Sequence, residues 1–224
     1  MKNLVMNYDD FSVWRIMGKT ELQKLSHLVI DVNYRHHLNQ LSFPHEEFEK
    51  IYQEDIIALP DSRFYAIYDL ADNIIAAVKC QRWNHSTLLP IEKDFTVDLK
   101  SFIKGLNFEP QEVFHIGRFV IDQDIIRRNK DLQQKRLTIL KLLMFHALHP
   151  VSKDITNIFF CECDEKLLSK LNFMGLYPRI IGPAKEYLGS KTIPIYCDYP
   201  GINKFFQINK SIEHVQQKLS IHQQ

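Results

Sequence analysis

The chain carries almost no net charge: 28 Lys and Arg stand against 27 Asp and Glu, leaving +1 over 224 residues. Such a balance sets up no global field to recruit nucleic acid or an anionic membrane, so any such preference must come from a local patch. No run of about 18 apolar residues is present, which excludes an ordinary membrane-spanning helix. The opening stretch MKNLVMNYDD lacks the apolar core of a secretory signal. Internal repeats, low-complexity tracts and Gly/Ser linkers are missing too, and a single domain over residues 1–224 is expected. There are only four cysteines, Cys80, Cys161, Cys163 and Cys197, each inside an apolar, strand-like run. Cys161 and Cys163 fall on one strand face and, without a second pair, make a poor tetrahedral metal site. Buried, reduced thiols in a cytoplasmic protein are expected. His146 and His149 share a helical segment but have no third ligand, so no metal is assigned.

What remains is an ordinary globular composition, 45 % hydrophobic and 25 % charged, enough for a proper core. The 15 Phe either fill that core or line an apolar pocket. Phe11–Met17 alternates as a first strand, and Thr20 caps a helix with Leu22, Leu25, Leu28 and Val29 on one face. Asn33–Phe43 reads as a helix end and loop. Phe64–Asp69 and Ile74–Trp83 flank Ala71-Asp72-Asn73 as a hairpin, and Phe95–Gly105 forms a short helix closed by its glycine. Val113–Asp122 is a strand, followed by a helix from about Leu132 to Leu148 that Pro150 stops. Ile155–Cys163 is the next strand, and Asp164 caps a helix ending near Gly175. Tyr177–Ile181 and Thr192–Cys197 close the sheet, before a helical tail from about 202. This order predicts an α/β (α+β) fold, a mixed sheet with helices on both faces.

The segment Val113–Leu148 is the most informative. An apolar strand carrying Arg118 leads into the basic stretch DIIRRNKDLQQKR and then a helix. A strand edge beside a helix N-terminus suits an anionic or thioester-linked ligand.

Three pieces of sequence resemble one known family. His115-Ile116-Gly117-Arg118-Phe119 stands where that family has an acidic residue, a variable one, Ser or Gly, then Arg-Phe. Leu171-Asn172-Phe173-Met174-Gly175-Leu176 resembles its helix end before a Gly-Phe turn. Ile181-Gly182-Pro183-Ala184-Lys185-Glu186-Tyr187-Leu188-Gly189 resembles the turn before its last strand. From about residue 10 to 200 the chain resembles the GNAT fold, and within it the acyl-homoserine-lactone (autoinducer) synthases and N-acyl amino acid synthases.

The resemblance implies a mixed, mostly antiparallel GNAT-like sheet. It also implies an N-acyltransferase that moves a medium or long acyl chain to a small amine such as an amino acid or signal precursor. Acyl-ACP (acyl carrier protein) or acyl-CoA would serve as co-substrate, with no tightly bound cofactor. The alternatives are an acetyl-CoA-dependent N-acetyltransferase of the same fold and a non-catalytic module that holds an acyl ligand or carrier. Four departures bear on this. His115 replaces the acidic residue, Asn33 an early Arg, and Leu171 a tyrosine often used as general acid, although Phe43 fits the early motif. Lys135-Arg136-Leu137-Thr138 replaces the glycine-bearing pyrophosphate loop, which counts against the usual acetyl-CoA enzyme.

Acyl transfer from a thioester to an amine needs a base, donors for the oxyanion and a departing thiolate. His115 is the first candidate base, because imidazole titrates nearest neutrality, and Glu112 is second. A hydrogen-bonded interior histidine is the competing reading. Strict alternation puts His115 and Arg118 on opposite strand faces; a β-bulge near Gly117 would bring them together. Without one, Arg118 ties down the N-terminal segment through Asp31 or Glu47. Phe119 and Val120 are placed at the donor opening, between Val113–Asp122 and Asn157–Cys163. Arg127, Arg128, Lys130, Lys135, Arg136 and Lys141 form either a rim for an acidic carrier or a solvated face. Backbone N–H groups near Leu137 and Thr138 suit phosphate. Tyr34, His37, Phe43 and Phe160 are the candidate substrate contacts, with His36 beside them.

Overall fold

Alternating apolar residues build one sheet, and the chain then covers both of its faces. The structure is a computed structural model that describes residues 1–187, 189–210 and 212. Strands β1 (Lys2–Asn7) and β2 (Phe11–Ile16) lead into helices α1 (Lys19–His36) and α2 (His45–Ala58). The hairpin β3 (Ser62–Asp69) and β4 (Ile74–Arg82) follows. Its tip turns through Asp72 at φ 62°, with Asp69 Oδ1 accepting from the N–H groups of Ala71 and Asn73 at 2.9 Å each. Short helices α3 (Pro90–Lys93) and α4 (Leu99–Lys104) precede β5 (Val113–Ile121). Then come α5 (Gln123–Arg128), α6 (Lys130–Gln134), α7 (Arg136–Val151), β6 (Ile158–Asp164) and α8 (Glu165–Phe173). The last elements are β7 (Arg179–Ile180), β8 (Lys185–Tyr187), β9 (Ser190–Cys197) and α9 (Tyr199–Ile208).

The strands form a nine-stranded sheet in the order β1-β2-β3-β4-β5-β6-β9-β7, with β8 also on β9. Every pairing is antiparallel except β5–β6. One face packs α1, where Leu22 and Leu25 meet Phe64, Ala66 and Ala77. The other packs α7, whose Leu142, Leu143 and Ala147 meet Ile67, Val78 and Ile116. Full burial of each such leucine contributes about 1.5–3 kcal/mol. The four cysteines are free and buried. Burial pushes the Cys80 and Cys197 thiols up to about 12, which makes them poor nucleophiles. Among the described residues no helix is long and apolar enough to cross a membrane.

Several element boundaries differ from expectation. The first strand is β1, ahead of Phe11, and the helix α2 occupies sequence with no expected element. Gly18, not Thr20, is the N-cap of α1, and it offers no side-chain acceptor. The long helix breaks at Lys135 into α6 and α7. Pro150 does not stop α7, because in its last turn a missing donor costs a single backbone bond. The strand expected from Ile155 starts at Ile158, and β7 is only two residues long. The C-terminal helix starts at Tyr199, and residues 213–224 of the expected tail lie outside the described residues.

Candidate functional site

The parallel pair β5–β6 is hydrogen-bonded only from Val113–Ile158 to His115–Phe160. Beyond that point β5 continues along β4, while β6 continues along β9. The two strands diverge, and the facing backbone edges of Ile116–Phe119 and Cys161–Asp164 have no ladder between them. A cavity of about 140 Å³ opens at this fork. Val29 and Asn33 of α1 and His37 just beyond it line one side, Lys79 of β4 with His115, Gly117, Arg118 and Phe119 another, and Tyr187, Ser190 and Thr192 close it.

His115 sits where the pairing ends and is 2 % exposed. Parallel register gives Phe160 the same face as His115, so Glu162, two residues on, shares it. The His115 Nε2 lies 2.9 Å from Glu162 Oε2 and 3.2 Å from Oε1. With the Nε2 proton donated to that carboxylate, Nδ1 keeps its lone pair. Nδ1 is buried and bonded to no protein atom, the one such side-chain atom in the cavity lining among the described residues. Gly117 makes room for the ring: a Cβ there would lie 2.9 Å from His115 Cε1.

Of the two alternatives for Arg118, the structure has the one with a bulge, and the side chain pairs with neither Asp31 nor Glu47. Ala77 pairs with Val120 and Lys79 with Gly117, so Val78 alone faces Arg118 and Phe119. Arg118 adopts φ 52°, a left-handed conformation costly for a side-chain-bearing residue. The phase shift turns Arg118 to the same side as His115, where its Nε donates to Asp55 Oδ1 at 3.0 Å and its Nη2 to Glu54 Oε2 at 2.9 Å. Burial opposes the guanidinium charge, but the carboxylates of Asp55 and Glu54 outweigh it and raise the pKa. Asp55 is fully buried and also accepts from Ser26 Oγ at 3.0 Å. Lys79 Nζ stands 3.4 Å from Asp55 Oδ1. Burial first, then the Arg118 charge, push the Lys79 ammonium below its ordinary pKa. Burial likewise raises the Tyr187 phenol, so that it stays protonated.

No protein-family model and no curated protein matches this sequence. Solved structures do match. TofI, in a ternary complex with an inhibitor and MTA, aligns with a TM-score of 0.58 at 11 % identity, over 88 % of this chain and 95 % of that one. FeeM, an N-acyl amino acid synthase from uncultured soil microbes, aligns at 0.56 and 12 %, over 87 % of this chain and 93 % of that one. BjaI, a CoA-dependent acyl-homoserine lactone synthase with SAM and isopentyl-CoA, aligns at 0.54 and 11 %, over 92 % and 88 %. The chain has the GNAT fold.

Within this GNAT frame His115, Arg118, Phe119 and His37 come together, with Asn33 beside them. Other expected residues do not join them. Glu112 precedes β5 at its far end and bridges to Arg82 at 3.3 Å, which removes it as a base. Val120 is 5 % exposed and packs against α1, because the bulge turns it into the core. Tyr34 and Phe43 pack on Phe48 under α1 and α2, away from the cavity. Phe160 is fully buried in a cluster with Phe102 and Tyr196, ring centroids 5.5 and 5.7 Å away. Arg127, Arg128 and Arg136 are exposed on α5 and at the start of α7, and Lys135 is tied to Asp10. Leu137 and Thr138 belong to the first turn of α7. None of these six lines the cavity. His36, Asp122 and Asp124 bring three potential metal ligands within 4.8 Å, but Arg35 already bonds Asp122 and Asp124 there.

Glu162, Lys79, Asp55 and Tyr187 were not anticipated. Two of them had a visible signal. Glu162 is the one acid between two thiols in Phe159–Cys163, and Lys79 is the one charge in the apolar run of β4.

Proposed function

We propose that the protein is an N-acyltransferase in which His115 takes the proton of a small amine acceptor. The observation that carries this reading is the His115–Glu162 pair, with its unbonded Nδ1, at the fork of β5 and β6. The thioester arm enters the gap as a pseudo-strand, using the unpaired backbone edges. The amine nitrogen attacks the thioester carbon and passes its proton to His115 Nδ1, and Glu162 stabilises the imidazolium. The bulge takes the backbone of Arg118 and Phe119 out of regular pairing and supplies donors for the oxyanion. The C–S bond then breaks, and the departing thiolate takes back the proton held on His115, directly or relayed through the Tyr187 hydroxyl, so that both side chains return to their starting states. Arg118, held by Asp55, braces the bulge and presents charge to a carboxylate-bearing acceptor such as an amino acid. By analogy with BjaI, the donor is an acyl-CoA, with an acyl-ACP as the alternative. The exposed Arg127, Arg128 and Arg136 suit the acidic surface of a carrier.

The donor chain in this reading is medium or long; a second reading makes it short. The edge-to-face packing of Phe102 on Phe160 and Tyr196 fills the apolar side beneath the fork, which favours an acetyl or other short donor. Purified protein is assayed for thiol release from C2 to C16 acyl-CoA in the presence of mixed amino acids. Amine-dependent release supports acyl transfer, and the length that reacts fastest decides between the readings. No release with any CoA or carrier-linked donor contradicts both.

A further inference from the structure

A second concavity lies on the opposite face of the sheet, at the other end of β5. It measures about 290 Å³, at the small end of ligand pockets, which run from roughly 300 to 1,000 Å³. Strand register builds it. Arg15 of β2 pairs with Tyr65, Arg63 of β3 with Cys80, and Arg82 of β4 with Phe114, and directly paired residues share a face. Tyr65, Cys80 and Phe114 belong to the core under α7, so all three arginines rise on that side, whereas His115 and Lys79 face α1 and α2. Lys153, just beyond the end of α7, completes the rim.

The charges do not balance. Four cations line the pocket against two carboxylates, Asp61 and Glu112. Both carboxylates lie at 3.3 Å from Arg82, one on each terminal nitrogen. Among the described residues Arg15, Arg63 and Lys153 have no carboxylate within ion-pair distance. Arg63 lies beside an apolar floor of Cys80, Phe114 and Pro150. In a chain with a net charge of only +1, an excess of two positive charges around one small pocket is a local design. Two guanidinium forks and an ammonium match a tetrahedral dianion better than a planar or monovalent one.

We propose that this pocket, formed by Arg15, Arg63 and Lys153 beside the Arg82 bridge, binds a phosphate dianion, free or carried on a small monoester. The site is separate from the fork. It adjoins the C-terminal end of α7, a helix of 16 residues and therefore about 24 Å from the basic N-terminal turn. The inference stands without the acyltransferase reading.

The full-length protein is titrated calorimetrically with inorganic phosphate and with glycerol 3-phosphate, with ionic strength held by sodium chloride. Saturable binding is expected for at least one of them, weakened about tenfold or more by Arg63→Gln and by Arg15→Gln, and unchanged by Lys50→Gln, which removes an exposed cation on α2. Phosphate alone marks a free-anion site; tighter binding of the ester marks a phosphorylated small molecule. Lys153 is exposed, so Lys153→Gln gives the same weakening without a risk to folding. No binding above the chloride background overturns the proposal. So does binding that survives both Arg63→Gln and Lys153→Gln.

Discussion

Replacing Glu162 by Gln keeps the side chain's size and removes one negative charge at 2.9 Å from His115 Nε2. Two effects follow. A charge-assisted hydrogen bond, worth about 1.5–3 kcal/mol, becomes a neutral one of about 0.5–1.5 kcal/mol. The imidazolium formed in the transition state also loses its counter-charge, and the Gln amide can donate to Nε2 and so favour the tautomer with its proton on Nδ1. In that tautomer the atom meant to accept the amine proton is already protonated. The combined cost is about 2–4 kcal/mol, or roughly 30- to 1,000-fold in kcat. KM for the thioester should stay within about twofold, because Glu162 does not hold the donor arm in this account. Steady-state thiol release measures kcat, and nitrogen-15 NMR of the histidine ring reports the tautomer directly. A kcat within threefold of wild type, with the Nε2–H tautomer retained, would refute the role given to the pair.

Arg118→Met leaves Asp55 buried with only Ser26 and Lys79, and should cost about 3–5 kcal/mol in urea unfolding; a loss under 1 kcal/mol contradicts the buried cluster. Gly117→Ala places a Cβ 2.9 Å from His115 Cε1, so the ring must shift. Activity should fall at least about tenfold with the fold retained, and a crystal structure with an unmoved ring would contradict this. His146 is stacked on Tyr65 and 4 % exposed. Burial, then His149, lower its pKa from 6.5 to about 4. Between those values the unfolded chain binds more protons, so the contribution of neutral His146 is complete above pH 6.5 and is lost as pH falls toward 4. That loss is about 3 kcal/mol, and His146→Leu should flatten the acid limb of thermal stability between pH 4 and 6.5. An unchanged slope excludes His146 as its source.

The parts of the fold set by local chemistry were legible in the sequence. Asp69 to Asn73 turns a hairpin because the Asp69 carboxylate caps it, and Asp164 starts α8 by accepting from the Leu167 N–H. The conflict of faces at His115 and Arg118 pointed to the bulge that the structure contains. Helix α2 was hidden because its buried face carries Asp55 among Phe48 and Ala58. An acid at a core position breaks the apolar period, and its partner Arg118 lies 63 residues away. The same distance problem concealed Glu162, whose meaning depends on a parallel register with β5. Glu112 misled because its place beside Val113 says nothing about which end of the strand opens. Phe43, Phe160 and Tyr34 have the polarity of pocket residues, but tertiary packing puts them in core clusters.

Acyl transfer with His115 as the base leaves a product that cells expressing the protein should accumulate. Its most direct test is mass spectrometry of lipid extracts from cells expressing wild type, His115→Ala or an empty vector. A new N-acyl amine is expected with wild type and absent from the other two, and its mass names both acyl chain and acceptor. The same product from His115→Ala in equal amount contradicts the role of His115. No new product from wild type contradicts acyl transfer to a small amine.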